Sequence, residues 1–117
     1  MVDDFWGPYE WQTFVESMQR VFPDHPIVEI EDNHPVMDIA FSVDKRTQIP
    51  GRIGVRPGNS PQWRGIFDEQ GRLIVAINFN MDMGDAWEHA NDPGYPAEMT
   101  AAAYRFAVNY ILYSMTH

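Results

Sequence analysis

One short stretch of the sequence constrains the fold more than any other. Residues 73–77 read Leu-Ile-Val-Ala-Ile and follow a turn that ends at Gly71. The stretch is apolar at both odd and even positions, which is typical of a β-strand covered on both faces. Such a strand needs helices on both sides of its sheet. We therefore expect an α/β domain with a layered αβα arrangement.

Two other segments have helical periodicity. After Pro8, apolar residues recur at steps of three and four as far as Phe22, which predicts a helix over about 8–21. The small and apolar residues after Pro96 predict a second helix over about 97–115. We expect a mixed sheet, with strands near residues 1–3, 27–30, 64–67 and 72–79.

The segment 45–61 contains three prolines, three glycines and four of the eight basic residues of the chain. That composition predicts a long, mobile surface loop.

Length and composition exclude several classes of protein. A chain of 117 residues fits a single domain over residues 1–117. Its net charge of −9 argues against nucleic acid, which proteins bind through basic clusters. No apolar run approaches the length of a membrane span. Cysteine is absent, which excludes disulfides, thiolate metal sites and a cysteine nucleophile.

The sequence does not define the cellular compartment of the protein. The start "MVDDFWGPYEW" has neither the basic residues nor the apolar core of a signal peptide. Met1 and Val2 nevertheless resemble the end of a strand, and we therefore expect further chain upstream. The protein is expected to be soluble, and cytoplasmic or periplasmic depending on that missing part.

Acidic residues follow the apolar strand without any basic partner. The stretch "NFNMDMGDAWEHANDPGYP" covers residues 78–96, and no lysine or arginine occurs between Arg72 and Arg105. In open α/β sheets, ligands bind at the carboxyl ends of the strands. Asp3 and Asp4 have the same relation to the first predicted strand. We therefore predict a ligand-binding crevice where the two strand ends meet, formed by Asp3, Asp4, Trp6, Asn80, Asp82, Asp85 and Trp87.

The polar members of this group support more than one chemistry. Carboxylate and amide oxygens hold Mg²⁺ or Ca²⁺ or bind sugar hydroxyls, and Asp4, Asp82 and Asp85 are the candidate metal ligands. Clustered carboxylates also raise one another's pKa and thereby supply a general acid or base. The simpler alternative is a set of solvated acids near helix N-termini. We expect the helices beginning near Pro8 and Pro96 to compensate the charge.

Aromatic and imidazole side chains lie close by in the sequence. Trp6 and Trp87 follow the two acidic strand ends and form either a platform for a sugar or the top of the core, of which the core is favoured. His89 forms a possible Zn²⁺ site together with Asp85, Glu88 and Asp92, although no fixed ligand spacing supports it.

Several motifs together resemble a known family. The segments "VDDFWG", "VFPDHPIVEI", "DNHPVMDIAF", "GIFDEQGRLIVAINFNMDMGDAWE" and "AYRFAVNYILYSMTH" are similar to the bacterial domain-of-unknown-function family DUF4159. This family is grouped with class I glutamine-amidotransferase-like folds, which are flavodoxin-like. The resemblance implies that the chain is the C-terminal portion of such a domain, truncated at its N-terminus.

The resemblance implies a site position but no reaction. Amidotransferase-like domains carry a nucleophilic cysteine on a sharp strand-to-helix elbow and a histidine after a later strand. By segment order, Asp3 and Asp4 correspond to the elbow, and Asn80 and Asp82 to the histidine region. Because neither catalytic residue is present there, thiol-based glutamine hydrolysis is excluded.

Two functions follow as expectations. The first is a non-catalytic, degenerate amidotransferase-like module that binds a small polar ligand or a protein partner. The second is a metal- or carboxylate-dependent hydrolase acting on a carbohydrate-like substrate, with Mg²⁺ or Ca²⁺ as the possible cofactor. Because upstream strands are missing from the expected fold, we also expect either self-association through an exposed sheet edge or a borrowed or rearranged segment that covers it.

Overall fold

A computed structural model of the chain describes all residues from 1 to 117. Regular elements are connected by long irregular segments, the longest of which joins a short 3₁₀ helix to the second strand. In chain order the elements are α1 (Gly7–Val21), β1 (Val28–Glu29), the 3₁₀ helix (Pro35–Met37), β2 (Gln62–Phe67), β3 (Leu73–Phe79), α2 (Met83–Glu88) and α3 (Ala97–Thr116).

The strands form a three-stranded antiparallel sheet in the order β1-β2-β3. The predicted strand at residues 1–3 is reduced to one parallel bridge between Val2 and Ile77. In this bridge the Val2 N–H donates to the Ala76 carbonyl at 2.8 Å, and the Asn78 N–H donates to the Val2 carbonyl at 2.9 Å. The expected parallel pairing is therefore limited to the edge of the sheet next to β3.

The two long helices lie on opposite faces of the sheet. On one face, Trp63 of β2 stacks on Phe106 of α3 with ring centroids 5.2 Å apart. On the other face, Phe79 of β3 contacts Trp11 of α1 at 4.8 Å. Trp63 and Phe79 belong to adjacent cross-strand pairs, which point to opposite sides of a pleated sheet. The α/β class and both long helices are confirmed.

Burial differs between these helices. Helix α3 contributes Ala103, Phe106 and Tyr113 to the hydrophobic core. Helix α1 contains no fully buried residue, and its apolar stripe is only half-buried. None of the helices combines the length and the apolar character that a membrane crossing requires.

We expected residues 73–77 to be covered on both faces of the sheet. This prediction is wrong near the start of the segment. Ile74 has 45% of its surface exposed. The cause is a register irregularity at Ile66 and Phe67, which pair with Val75 and Leu73 and leave Ile74 without a partner. Full burial begins at Ala76 and continues through Phe79, beside the Val2 bridge.

The segment 45–61 is irregular, as predicted, but it does not lie wholly on the surface. Ile49, Pro50 and Gly51 are buried. The Ile49 carbonyl accepts the Asp82 N–H at 2.9 Å, and the Pro50 carbonyl accepts the Tyr95 hydroxyl at 2.7 Å. Composition indicated the loop correctly but contained no sign that its centre packs against the end of β3.

Candidate functional site

The site is built around the first turn of α2, which the sequence did not predict as a helix. Asp82 is its N-cap, and the Asp82 Oδ1 accepts the Asp85 N–H at 2.8 Å. Aspartate is favoured at this position because its carboxylate satisfies an N–H that has no partner within the helix. The Asp82 side chain thereby lies directly beyond the carboxyl end of β3 and is only 7% exposed.

Asp3 reaches the same helical turn from the N-terminal segment. Its Oδ2 accepts the Gly84 N–H at 3.0 Å, whereas its Oδ1 is buried and has no hydrogen-bond partner. The Asp82 Oδ1 and the Asp3 Oδ2 lie 3.4 and 3.8 Å from the position that a Cβ on Gly84 would take. Two partly buried carboxylates therefore flank Gly84.

A third carboxylate is held by the long loop. The Asp85 Oδ2 accepts the Arg52 N–H at 2.7 Å. A Cβ on the neighbouring Gly51 would lie 3.2 Å from the Asp82 Oδ2 and 3.3 Å from the Asp85 Oδ2. Glycine at this position lets the loop backbone pack closely against both acids.

Asp4 completes the group from a strained backbone position. It is exposed and has a φ of 57°, in the left-handed region that residues other than glycine seldom adopt. Its Oδ1 accepts the Trp6 Nε1–H at 3.1 Å. We call Asp3, Asp4, Asp82 and Asp85 the acidic crevice.

Burial and mutual repulsion raise the pKa values of two acids in the crevice. Burial raises the pKa of Asp82 to about 7, and the charges of Asp4, Asp85 and Asp3 add to the effect. Burial raises the pKa of Asp3 to about 6, although the nearby backbone N–H groups of Gly84, Met83 and Asp4 oppose the shift. Near neutral pH the crevice therefore contains both a proton donor and proton acceptors.

The structure assigns the compensation of the crevice charge to a helix other than the two expected from the sequence. The N–H groups that contact Asp3 and Asp82 belong to Gly84 and Asp85 of α2. They do not belong to the helices beginning near Pro8 and Pro96. Helix α2 was missed because six residues contain too few apolar positions to establish a helical period.

Both polar groups of the Asn80 side chain make hydrogen bonds within the protein. Its Oδ1 accepts the Gly7 N–H at 2.9 Å, and its Nδ2 donates to the Ser60 carbonyl at 2.9 Å. The residue is only 5% exposed and has a φ of 60°. These hydrogen bonds join the start of α1, the long loop and the end of β3.

The two tryptophans differ in their surroundings. Trp6 is buried, with 8% of its surface exposed, and the Arg56 guanidinium carbon lies 4.2 Å from its ring centroid. Trp87 is half-buried, with its ring 6.4 Å from that of Tyr104. The Trp87 Nε1 is buried and has no hydrogen-bond partner.

Three polar residues near the crevice were missed from the sequence. The Tyr95 hydroxyl has a pKa raised to about 12 by burial and by the charges of Asp82, Asp85 and Asp3. The Tyr110 hydroxyl donates to the Asn78 Oδ1 at 2.7 Å, and burial together with the charge of Asp3 raises its pKa above the usual range. Asn78 itself could have indicated this polar cluster, because it is a polar residue inside an otherwise apolar strand.

The histidines lie in separate environments. His25 Nε2 lies 3.2 Å from a carboxylate oxygen of Glu69. His34 accepts the Val36 N–H at 3.2 Å and caps the 3₁₀ helix, and burial lowers its pKa. His89 follows α2 and lies beside Asp85 and Glu88, with one ligand atom from each of the three within 4.8 Å of the others.

Five surface cavities of about 200 to 450 Å³ are lined by other residues and not by the crevice carboxylates.

Comparison with known families agrees with the resemblance noted from the sequence. Residues 1–115 match the family model described as a domain of unknown function, DUF4159. The chain belongs to the DUF4159 family. No curated protein and no solved structure matches it. The family assignment thus covers nearly the whole chain, including every residue of the acidic crevice.

Proposed function

We propose that this DUF4159 domain is a degenerate module of the glutamine-amidotransferase-like class that binds a small polar ligand in the acidic crevice. The observation that carries the proposal is the convergence of the crevice carboxylates, one of which, Asp3, has a buried Oδ1 without a partner. Buried carboxylate oxygens are normally hydrogen-bonded or bound to a cation.

The chemistry of the crevice defines the class of ligand. Its carboxylates offer acceptor oxygens, and the protonated form of Asp82, favoured by its raised pKa, also offers a donor. A hydroxyl group, an ammonium group or a hydrated divalent cation matches these groups, whereas an anion is repelled.

The backbone of Asp4 supports the amidotransferase-like assignment. Asp4 lies between the Val2 bridge and α1, where the superfamily has its strand-to-helix elbow, and its left-handed φ of 57° fits such a sharp turn. Strained residues of this kind are concentrated at functional sites. With aspartate in place of cysteine, this elbow has no thiol chemistry.

The proposal is tested by comparing three proteins in metal-free buffer at about pH 8. They are the parent chain, the double variant Asp3→Asn/Asp82→Asn and the control Asp24→Asn, which removes an exposed charge in the turn after α1. Thermal unfolding is measured with Mg²⁺, Ca²⁺ or glucose as the probe. We expect at least one probe to stabilise the parent and Asp24→Asn but not the double variant, because ligand binding to the folded state raises its stability.

Two results contradict the proposal. One is a parent chain that none of the three probes stabilises, because the crevice then binds no ligand of this class. The other is equal stabilisation of the double variant and the parent, because binding then occurs elsewhere.

A second candidate is a metal- or carboxylate-dependent hydrolase acting on a carbohydrate-like substrate. It is favoured by the exposed carboxylate of Asp4 on its strained turn, next to Asp82 with its raised pKa. Nitrophenyl glycosides with and without Mg²⁺ or Ca²⁺ provide the assay. Hydrolysis that is lost in Asp4→Asn and retained in Asp24→Asn supports this candidate. Absence of hydrolysis under all these conditions excludes it for these substrates.

A further inference from the structure

Behind the acidic crevice, the end of α2 carries a second group of metal-ligating side chains. Asp85, Glu88 and His89 each present one ligand atom, and these atoms lie within 4.8 Å of one another. His89 Nε2 lies 3.9 Å from the Asp85 Oδ1. Asp85 and His89 are half-buried, whereas Glu88 is exposed. We propose that Asp85, Glu88 and His89 bind a divalent transition-metal ion of the Zn²⁺ type.

The surroundings of Asp85 orient it as a ligand. Its Oδ2 is occupied by the Arg52 N–H at 2.7 Å, so its Oδ1 remains free on the side of His89. The His89 N–H donates to the Asp85 carbonyl at 2.9 Å, which holds the two residues together. A hydrogen bond to the second oxygen of a ligating carboxylate is a usual feature of metal sites.

The ring of His89 is available to bind an ion. Its Nε2 lies 3.9 Å from the Asp85 Oδ1, and its Nδ1 lies 4.0 Å from the Asp92 Oδ2. Neither separation is short enough for a hydrogen bond. A ring nitrogen of His89 therefore faces the free oxygen of Asp85, and an ion could bind between them without breaking a hydrogen bond of the protein.

The distances and ligand types select the ion. Bonds of about 2.0–2.2 Å from Zn²⁺ to nitrogen and oxygen place its ligands about 3.3 Å apart in tetrahedral geometry. The exposed Glu88 side chain is free to rotate and close the remaining gap. Imidazole favours Zn²⁺ and its transition-metal neighbours, whereas Mg²⁺ and Ca²⁺ prefer oxygen ligands alone. Three protein ligands leave one position open for water or an external ligand.

This inference does not depend on the ligand proposed for the crevice. The two sites share Asp85 but use different oxygens of its carboxylate. The Asp85 Oδ2 faces the crevice, and the Asp85 Oδ1 faces His89. Their tests are separable, because Asp3 and Asp82 belong only to the crevice, and Glu88 and His89 only to the metal site.

Isothermal titration calorimetry with Zn²⁺ at about pH 7.5 tests the site after removal of metals by a chelator. The variants are His89→Gln and Glu88→Gln, the latter at an exposed position where folding is not at risk. His25→Gln is the matched control, because His25 also lies beside a carboxylate but is far from α2 in sequence and contacts Glu69. Co²⁺ is a second probe, because its visible absorption reports low coordination number.

We expect the parent and His25→Gln to bind one Zn²⁺ per chain with the same affinity. We expect His89→Gln and Glu88→Gln to bind it at least ten-fold more weakly and to lose the Co²⁺ absorption. A parent that shows no saturable Zn²⁺ binding overturns the inference. Binding that is unchanged in both His89→Gln and Glu88→Gln, or that is weakened equally in His25→Gln, overturns it as well. The double variant Asp3→Asn/Asp82→Asn should retain Zn²⁺ binding. A failure of the crevice proposal can therefore be distinguished from a failure of the Zn²⁺ site.

Discussion

At the scale of single residues, Asp82 combines two opposing effects. It caps α2 through the Asp85 N–H, which stabilises the fold, and it is buried among other acids, which favours its protonated form. Its pKa rises from an ordinary 3.8 to about 7. Between these two values the folded state keeps a proton that the unfolded state has lost. The stability of the protein therefore falls as the pH rises through this range, and the cost is complete above about pH 7.

The variant Asp82→Asn separates the cap from the charge. Asparagine is an equally good N-cap and imitates the protonated acid. We expect Asp82→Asn to match the parent near pH 4 and to exceed its free energy of unfolding by at least about 1 kcal/mol near pH 8, since each unit of pKa shift corresponds to about 1.4 kcal/mol. Urea unfolding at a series of pH values measures the difference. A gain that does not depend on pH, or a loss of stability at pH 8, contradicts this account of Asp82.

The pH dependence also identifies where the charge effect arises. Asp24→Asn removes the same formal charge from an exposed turn. If net charge alone were responsible, both variants would gain stability in parallel above pH 7. We expect Asp24→Asn to follow the parent, because exposed charges contribute little.

At the scale of elements, Asn80 holds three parts of the fold in register. Its side chain bonds the first residue of α1 and the Ser60 carbonyl of the long loop, immediately after β3 ends. The variant Asn80→Ala removes both hydrogen bonds and places alanine in a left-handed conformation. We expect a loss of about 2–3 kcal/mol, from about 1 kcal/mol per hydrogen bond and about 1 kcal/mol of backbone strain.

Asn59→Ala is the matched control for Asn80. Asn59 lies in the same region, but its side chain makes no hydrogen bond, so we expect a loss below about 0.5 kcal/mol. Chemical denaturation of both variants gives the comparison. Similar losses in the two would show that Asn80 does not join the elements as the structure indicates.

Most of the elements that could be predicted from the sequence are long segments with a regular apolar pattern, although the two-residue strand β1 also lies within the strand predicted near 27–30. Helices α1 and α3 and strands β2 and β3 lie close to their predicted positions, because fifteen or twenty residues of helical spacing, or a run such as 73–77, leave few alternatives. Helix α2 and the 3₁₀ helix are too short for such a signal. The bulge that exposes Ile74 depends on how β2 pairs with β3, which local sequence does not encode.

At the scale of the whole molecule, the position of the site could be predicted from the sequence, but the contacts between distant segments within it could not. Sequence order indicated the strand ends and therefore Asp3, Asp4, Asp82 and Asp85, since the carboxyl ends of parallel segments lie at the same edge and the Val2 segment is parallel to β3. It gave no sign that Gly51 would pack against these acids or that Asn80 would be used internally. Those contacts join residues far apart in the chain, and only the tertiary packing determines them.

The outer surface of the molecule supports one further prediction, that copies of the chain associate. Helix α1 buries none of its residues completely, and a groove of about 450 Å³ lies between it and the segment 22–27. Apolar side chains of Trp11, Val15, Met18, Phe22 and Ile27 line the groove. The edge strand β1 begins beside it with Val28, which is 42% exposed. Exposed strand edges and contiguous apolar patches favour association.

The variant Val28→Lys tests whether this edge is the contact. A lysine on an edge strand opposes strand pairing through its charge and hydration, and the exposed position should tolerate it without loss of folding. We expect the sedimentation coefficient of the parent to rise with concentration and that of Val28→Lys to remain close to the monomer value. Ile53→Lys is the control, because Ile53 is 81% exposed in the loop. This variant adds the same charge as Val28→Lys, but away from β1. If the parent sediments as a monomer at every concentration, the groove and the edge are not an association surface. If Ile53→Lys disperses the protein as well as Val28→Lys does, the reduced negative charge of the chain, and not strand pairing at β1, controls its association.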